Sequence, residues 1–121
     1  MEAGIAHGPD GGEHVQREAR HHRILCEIDA LEVVELRFGP DFEGVEPHTH
    51  RAHADCFFVL EGEAEFTLDG ETHRFGPGSF VAAPIGTVHG FRNAGPGELR
   101  MLNLSAPNAG FAAGLREMSD R

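Results

Sequence analysis

The sequence predicts an all-β domain, a sandwich or barrel of short strands that ends in one helix. Between residues 23 and 104, short apolar runs alternate with turn residues, and the turns recur roughly every 8 to 12 residues, which is typical of all-β folds and not of βαβ units. The period lengthens only after residue 107, where Phe111, Leu115 and Met118 recur at helical spacing. We therefore expect a closing helix over Asn108–Ser119, with Asn108 as its cap.

Each predicted strand is an apolar run bounded by residues that favour turns. In chain order the strands are Ile24–Ile28, Leu31–Phe38, Cys56–Leu60, Ala64–Leu68, Phe80–Ala83, Val88–Arg92 and Leu99–Leu104. The turns between them are Gly39-Pro40-Asp41, Glu61-Gly62, Asp69-Gly70, Gly76-Pro77-Gly78, Pro84-Ile85-Gly86 and Gly95-Pro96-Gly97. Asp69-Gly70 predicts a tight hairpin, because a glycine at that position tolerates a positive φ.

Length and texture predict a single domain preceded by an arm. The chain has 121 residues, which is within the usual size of one domain. Residues 1–20 are rich in Gly, Glu and His and include Gly8–Gly12, a stretch that can hold neither a helix nor a central strand. We expect a flexible arm over residues 1–20 and one folded domain over residues 21–121.

Charge and composition argue against several classes of function. Twenty acidic and ten basic side chains give a net charge of -10, the wrong sign for binding nucleic acid or an anionic membrane. The chain has no Lys, Tyr or Trp, so neither a lysine nucleophile nor a phenolic acid is available. Two cysteines without CxxC spacing, no leader segment and no apolar run of membrane length predict a reduced, cytoplasmic protein.

Two histidines two residues apart, His48 and His50, begin the stretch that carries chemistry. On a strand such residues share one face, with Cα atoms about 6.5 to 7 Å apart, so both rings can reach one ion. Taken alone, the pair is equally typical of a solvated strand face. Further along the chain stand residues at informative spacings, namely Asp55, Gly62, Gly78, Pro84, Gly86, His89 and Asn93.

These spacings resemble the two motifs of the cupins, G-(x)5-H-x-H-(x)3-4-E-(x)6-G and G-(x)5-P-x-G-(x)2-H-(x)3-N. The second motif is met at every fixed position, from Gly78 to Asn93. In the first motif the two histidines and Gly62 match, Asp55 stands where the family has Glu, and Gly44 is two residues too close to the first histidine. The resemblance covers about residues 31–105 and is greatest to small single-domain bacterial cupins that are often labelled quercetin-dioxygenase-like.

The resemblance implies a double-stranded β-barrel, or jelly roll, that holds one divalent transition metal. Carried over by position, the ligands are His48, His50, His89 and Asp55. An Asp side chain is about 1.5 Å shorter than Glu, so His53, two residues before Asp55, is an alternative fourth ligand. Imidazole nitrogens with a carboxylate oxygen suit Fe, Mn, Ni, Cu, Co or Zn, with a position left open for water or substrate.

Alternation along the strands predicts an apolar pocket beside this metal. The predicted pocket residues are Phe57, Val59, Phe66, Phe80, Phe91 and Asn93. Phe walls suit an aromatic or otherwise hydrophobic ligand better than a sugar phosphate. Nine Phe in a chain without Trp or Tyr must also build the core, so these residues are expected equally in the cavity wall and in the core.

Two functions remain compatible with the sequence. The first is a metal-dependent dioxygenase, an oxidoreductase that acts on a small, aromatic or hydrophobic substrate. The second is a non-catalytic, metal-bound module that binds or senses a small molecule, because one fold can host many functions. Cupins usually pair, so we also expect a homodimer, joined through the early strands around Ile24–Phe38.

Overall fold

The computed structural model describes residues 2–119. It contains ten β-strands in two antiparallel sheets, followed by one helix. The strands are β1 (Glu13–Arg17), β2 (Arg20–Ile28), β3 (Leu31–Phe38), β4 (Val45–His48), β5 (Ala54–Glu61), β6 (Ala64–Leu68), β7 (Glu71–Phe75), β8 (Phe80–Ala83), β9 (His89–Asn93) and β10 (Leu99–Ala106), and the helix is α1 (Phe111–Ser119). The predicted all-β class with a short C-terminal helix is confirmed.

The two sheets bring distant parts of the chain together. One sheet has the strand order β1-β2-β3-β10-β5-β8 and the other has the order β4-β9-β6-β7. Strands β4 and β9 are neighbours in the smaller sheet, whereas β5 belongs to the larger one. Residues of both predicted motifs therefore meet between the sheets.

Alternation along the strands builds the core between the sheets. On β10 every second residue from Leu99 to Ser105 is buried, as expected for a strand with one face turned inward. Phe66, Leu99 and Met101 have no exposed surface, and burial of each such side chain stabilises the fold by about 1.5–3 kcal/mol. The core is thus shared between β10 of the larger sheet and β6 of the smaller one.

The hairpin predicted at Asp69-Gly70 is confirmed. Leu68 pairs with Glu71 in the register of β6 and β7, which leaves a loop of two residues. Both loop residues have positive φ, 50° for Asp69 and 84° for Gly70. This combination is the type I′ turn, whose twist matches that of the flanking strands.

The first twenty residues differ from the expectation of an arm. Residues 2–12 contain no strand, but β1 pairs along its whole length with β2, and Val15 is buried. Val15 is the only apolar residue of β1, so apolar alternation could not reveal this strand. Backbone pairing with β2 and one buried side chain hold it in the sheet.

Helix α1 starts three residues later than predicted, because its cap comes from a distant strand. The carboxylate of Glu32 on β3 is 1% exposed and accepts hydrogen bonds from the backbone N–H groups of Phe111 (3.1 Å) and Ala112 (2.8 Å). Asn108, the predicted cap, accepts instead from the N–H of Gly110 at 2.8 Å. Within residues 2–119, no helix has the length and apolar character needed to cross a membrane.

Ion pairs fasten the outer side of the helix to the first two strands. The guanidinium of Arg116 donates to the carboxylates of Glu13 on β1 and Glu27 on β2. The opposite side of α1, with Leu115 and Met118, faces the space between the sheets. The helix therefore covers one opening of that space.

Candidate metal centre

Four side chains with metal-ligating atoms converge between the two sheets. They are His48 at the end of β4, His50 just beyond it, Asp55 on β5 and His89 on β9, and one ligand atom of each lies within 4.8 Å of the others. His48 and His89 are direct partners in the register of β4 and β9. His50 lies outside the strand on which the sequence pattern placed it, yet its ring centroid is 4.6 Å from that of His48. We call these four residues the His/Asp cluster.

The spacing of the donor atoms suits a metal ion. His48 Nε2 is 3.1 Å from His50 Nε2, and Asp55 Oδ2 is 3.3 Å from His50 Nε2 and 2.9 Å from His89 Nε2. A metal bound at 2.0–2.2 Å by nitrogen and oxygen holds neighbouring ligands about 3.0–3.5 Å apart. The cluster is therefore compatible with a metal ion, through three imidazoles and one carboxylate.

Two of the imidazoles are oriented by backbone carbonyls. His48 Nδ1 donates to the carbonyl of Glu46 at 2.8 Å, and His89 Nδ1 donates to the carbonyl of Thr87 at 2.9 Å. In both cases the acceptor is two residues earlier in the chain. A hydrogen bond of this kind fixes the ring orientation and directs Nε2 toward the shared centre, as in many metal sites.

The carboxylate of Asp55 is buried and held from two sides. It is 7% exposed, and Asn103 Nδ2 donates to its Oδ1 at 2.6 Å while His89 contacts its Oδ2. Burial raises the pKa of Asp55, but the hydrogen bonds from His89 and Asn103 outweigh it, so the pKa lies below its ordinary value. Burial likewise lowers the pKa of His89, but its bonds to Asp55 and to the Thr87 carbonyl raise it above the ordinary value. Asp55 is thus ionised and ready to ligate a cation.

A mostly apolar cavity of about 390 Å³ opens beside the cluster. Its walls include Phe57 and Phe91, two of the residues predicted for the pocket. Further aromatic walls are Phe38 and Phe42, whose rings stack at 3.9 Å between centroids, and Phe111 of helix α1. Pockets of this size and character hold small organic ligands.

Known proteins resemble this chain in sequence and in fold. The family model described as "Cupin domain" matches residues 34–105. The chain belongs to the cupin family. Among curated relatives, it is 32% identical over 74 residues to a protein of Bacillus subtilis (strain 168) named quercetin 2,3-dioxygenase, an alignment that covers 59% of this cupin and 22% of the relative. It is also 36% identical over 67 residues to polyketide synthase CurC of Streptomyces cyaneus, covering 55% of this cupin and 44% of the relative. This cupin thus spans less than half the length of either protein.

Solved structures share the fold at low sequence identity. KdgF from Halomonas sp. aligns with a TM-score of 0.78 at 23% identity, covering 93% of this cupin and 99% of that chain. An RmlC-like cupin from Shewanella frigidimarina aligns with a TM-score of 0.72 at 21% identity, covering 88% and 92% of the two chains. These similarities establish the barrel architecture.

The two candidates for the fourth ligand, Asp55 and His53, occupy different positions in the structure. Asp55 is part of the His/Asp cluster, and despite its short side chain its Oδ2 lies 2.9 Å from His89 Nε2. His53 lies outside the cluster, lines the cavity and has its ring centroid 4.1 Å from that of His50. Burial and the neighbouring His53 lower the pKa of His50, which favours the neutral imidazole that a metal needs.

Four of the predicted pocket residues do not line the cavity. Val59 and Phe66 have no exposed surface and belong to the core behind it. Asn93 is buried, and its side-chain N–H group donates to the carbonyls of Gly39 (3.2 Å) and Gly97 (2.8 Å), so it ties two loops together. The prediction for Phe80 is wrong: it is 58% exposed on the outer face of β8.

The prediction for Phe80 assigned it to the wrong face of its strand. On β8 the residues that face inward are Val81 and Ala83, so Phe80 and Ala82 point outward. In the register of β5 and β8, Phe80 pairs with Phe58, which is also exposed. A shift of one residue moves every side chain of a strand to its other face, and the apolar run Phe80–Ala83 gives no sign of the correct phase.

Asn103 is the site residue that sequence reasoning missed. It lies on β10 in the inward phase of Leu99 and Met101. A polar residue at an inward position of an otherwise apolar face is a signal for a buried hydrogen bond. Asn103 makes such bonds: its side-chain amide donates to Asp55 and to the carbonyl of Cys56, the latter at 3.1 Å.

Proposed function

We propose that this cupin binds one divalent transition metal through the His/Asp cluster and acts as a dioxygenase on a small hydrophobic or aromatic substrate. The observation that carries the proposal is the convergence of three imidazoles and one carboxylate at the wall of an apolar cavity. The match to a relative named quercetin 2,3-dioxygenase supports the same class of reaction.

Each residue of the site has a distinct task in this proposal. His48, His50, His89 and Asp55 would hold the metal, which when bound supplies the redox chemistry that joins O2 to an organic substrate. The backbone carbonyls of Glu46 and Thr87 and the Asn103 amide keep three of the four ligands in orientation. The single carboxylate among the ligands leaves one positive charge of a divalent ion uncompensated, which favours an anionic or ionisable substrate oxygen at the open position.

The apolar walls have two effects on such a substrate. Phe57 and Phe91 lie next to each other, with ring centroids 5.3 Å apart, and offer flat surfaces against which an aromatic ring packs. Phe111, Leu115 and Met118 of helix α1 add apolar surface to the wall, which favours an apolar ligand over water. Both effects hold an apolar substrate at the cluster.

A second function, binding or sensing without catalysis, is favoured by one observation. Within residues 2–119, Asp55 is the only carboxylate that lines the cavity, and the cluster already uses it. A covered apolar cavity next to a metal suffices to bind a ligand without converting it.

Metal analysis combined with oxygen uptake tests both functions. We expect purified or reconstituted protein to carry about one transition metal per chain and to consume O2 with a member of a flavonol and phenol panel. His89→Ala should lose most of the metal and the oxygen uptake. His73→Ala is the matched control, since His73 is an exposed histidine on β7, and it should retain both.

The outcomes separate the proposals. Full metal occupancy in His89→Ala would contradict the ligand assignment. Metal occupancy and ligand binding without oxygen uptake for any member of the panel would favour the binding or sensing function.

A further inference from the structure

Two arginines lie on the cavity side of β1 and β2, next to the turn of their hairpin. Arg17 lies two residues after the buried Val15 on β1, and Arg20 lies two residues before the buried His22 on β2. Residues two apart on a strand share a face, and all four of these residues line the cavity. Both arginines are therefore part of the cavity wall.

The register of the hairpin places these two positive charges opposite each other. Arg17 and Arg20 are direct partners in the pairing of β1 with β2, and like charges in that relation destabilise a strand pair. Among residues 2–119, no carboxylate lies within 4.0 Å of the Arg17 guanidinium. In the described part of the chain, the one carboxylate that pairs with Arg20 is that of Glu43, at 3.8 Å, and its side chain is 87% exposed. The Arg20 guanidinium carbon lies 5.1 Å from the centroid of the Phe42 ring. No buried acid among the described residues therefore compensates the two charges.

The charge of the cavity is opposite to that of the whole chain. The chain carries a net charge of -10, yet within residues 2–119 the Arg, Asp and Glu side chains of the cavity wall are Arg17, Arg20 and Asp55. Both oxygens of Asp55 are already engaged by the His/Asp cluster and Asn103. An anion is therefore the ligand group that this wall attracts.

The arginine pair and the His/Asp cluster lie at different ends of the larger sheet. Arg20 pairs with Phe38 on β3, whereas Asp55 pairs with Ser105, which in turn pairs with Glu32 on β3. On β3, the residues aligned with Arg20 and with Asp55 are six positions apart, or roughly 20 Å at 3.3 Å per residue. The long arginine side chains shorten the distance between their guanidinium groups and the cluster. At the arginine end, Arg20 lies over Phe42, which stacks on Phe38. From Phe38 the rings of Phe91 and Phe57 follow at centroid distances of 5.6 and 5.3 Å, and the Phe57 ring lies 6.3 Å from that of His89.

We propose that Arg17 and Arg20 form a subsite for the carboxylate of an elongated, apolar ligand. The planar guanidinium matches a carboxylate with two parallel hydrogen bonds, and the phenylalanine rings between the two ends suit an apolar body. The proposal rests on the proposed function only in assigning the opposite end of the ligand to the His/Asp cluster. It narrows the substrate class from small hydrophobic molecules to hydrophobic carboxylic acids.

Two probes of equal shape test the subsite. Biphenyl-4-carboxylate carries the charge, and biphenyl-4-carboxamide is its neutral counterpart. In titration calorimetry on the full chain, we expect the acid to bind at least about tenfold more tightly than the amide. The same ratio should appear in protein freed of metal by a chelator, because the arginines are remote from the cluster.

Arginine variants identify the groups that are responsible. Arg17→Gln and Arg20→Gln should each weaken binding of the acid about tenfold and leave the affinity for the amide unchanged. Arg74→Gln makes the same charge change on β7 of the other sheet and should alter neither affinity. Thermal unfolding of each variant checks that the fold is retained, which is expected because Arg17 is exposed and Arg20 half-buried.

Several outcomes would overturn the subsite. One is equal affinity for the acid and the amide, and another is no binding of the acid at millimolar concentration. A third is a preference for the acid that survives in both arginine variants. The fourth is a preference for the acid that appears only in metal-loaded protein. The last would mean that the carboxylate binds the metal itself. Tighter binding of biphenyl-4-yl phosphate than of the acid would overturn the carboxylate assignment. Metal content and oxygen uptake of the same samples test the proposed function separately, so either proposal can fail alone.

Discussion

His89 Nε2 lies 2.9 Å from Asp55 Oδ2, a hydrogen bond that joins the second histidine motif to the acid of the first. The two residues belong to different sheets, His89 to β9 and Asp55 to β5. His89 is 1% exposed and Asp55 7% exposed, so little water competes for either group. The contact makes the cluster part of the packing between the sheets, and a bound metal would replace this hydrogen bond with a shared ion.

The identity of the fourth ligand can be tested by two substitutions. Asp55→Ala should lower metal affinity by tenfold or more, because it removes the only carboxylate of the cluster. His53→Ala should change the metal content little, because His53 lies outside the cluster. Elemental analysis after dialysis against graded chelator measures both effects. Unchanged metal content in both variants would indicate a site of three histidines completed by water, and a loss confined to His53→Ala would reverse the assignment.

Asn103 should control metal binding without touching the metal. Asn103→Leu keeps the volume but removes the hydrogen bond to Asp55 Oδ1, and loss of such a supporting contact typically costs 10- to 100-fold in metal affinity. Asn108→Leu, at an asparagine outside the cavity wall, is the control and should leave metal affinity unchanged. Competition with a coloured chelator gives both affinities. Equal affinities in Asn103→Leu and the wild type would show that Asp55 needs no support.

The free energy of unfolding should fall at acidic pH because of His22. The side chain is 5% exposed, and burial together with the neighbouring Arg20 lowers its pKa to about 4. In the unfolded chain the group has a pKa near 6.5, so between about pH 6.5 and pH 4 the unfolded state binds the additional proton and stability is lost as the pH falls. The loss reaches about 3 kcal/mol at pH 4.

Urea unfolding of metal-free protein measures this effect. His22→Leu should reduce the difference in unfolding free energy between pH 7 and pH 4 by about 3 kcal/mol relative to the wild type. His73→Leu, at an exposed histidine, should leave the difference unchanged. The same pH dependence in His22→Leu and the wild type would mean that His22 is protonated as readily in the folded chain as in water.

The helix cover should depend on Glu32. Glu32→Ala leaves the N–H groups of Phe111 and Ala112 without their acceptor, and loss of a helix cap costs about 0.5–2 kcal/mol. We expect faster amide hydrogen exchange confined to α1 and a comparable loss of global stability. Glu63→Ala, at an exposed glutamate, is the control. Unchanged exchange in α1 would mean that packing of its apolar side alone holds the helix.

Local spacing explains why the cluster could be predicted while its surroundings could not. His48, His50 and Asp55 lie within one short stretch, and the second motif places His89 by its own internal spacing. Asn103 reaches Asp55 across 48 residues and Glu32 reaches Phe111 across 79 residues. Such contacts follow from sheet order, which periodicity does not reveal.

The residues of the cavity wall could not be predicted from local spacing either. The inner face of β8 depends on a one-residue phase that the run Phe80–Ala83 does not contain. Arg17 enters the wall because β1 pairs with β2, and a strand with a single apolar residue has no recognisable pattern. Tertiary pairing, which outweighs local preference in such strands, decides both features.

The position of β10 in the larger sheet constrains the order of events during synthesis. This strand is the last of the ten described strands, yet it lies between β3 and β5 and pairs with both. A ribosome therefore releases all four residues of the His/Asp cluster before the strand that carries Asn103 exists. Until residue 106 has emerged, β5 has no neighbour on one side and Asp55 lacks its amide partner, so a nascent chain exposes its histidines in an incomplete sheet. Pairings this remote in sequence form slowly, and we expect the metal to enter after translation, once the central strand is in place.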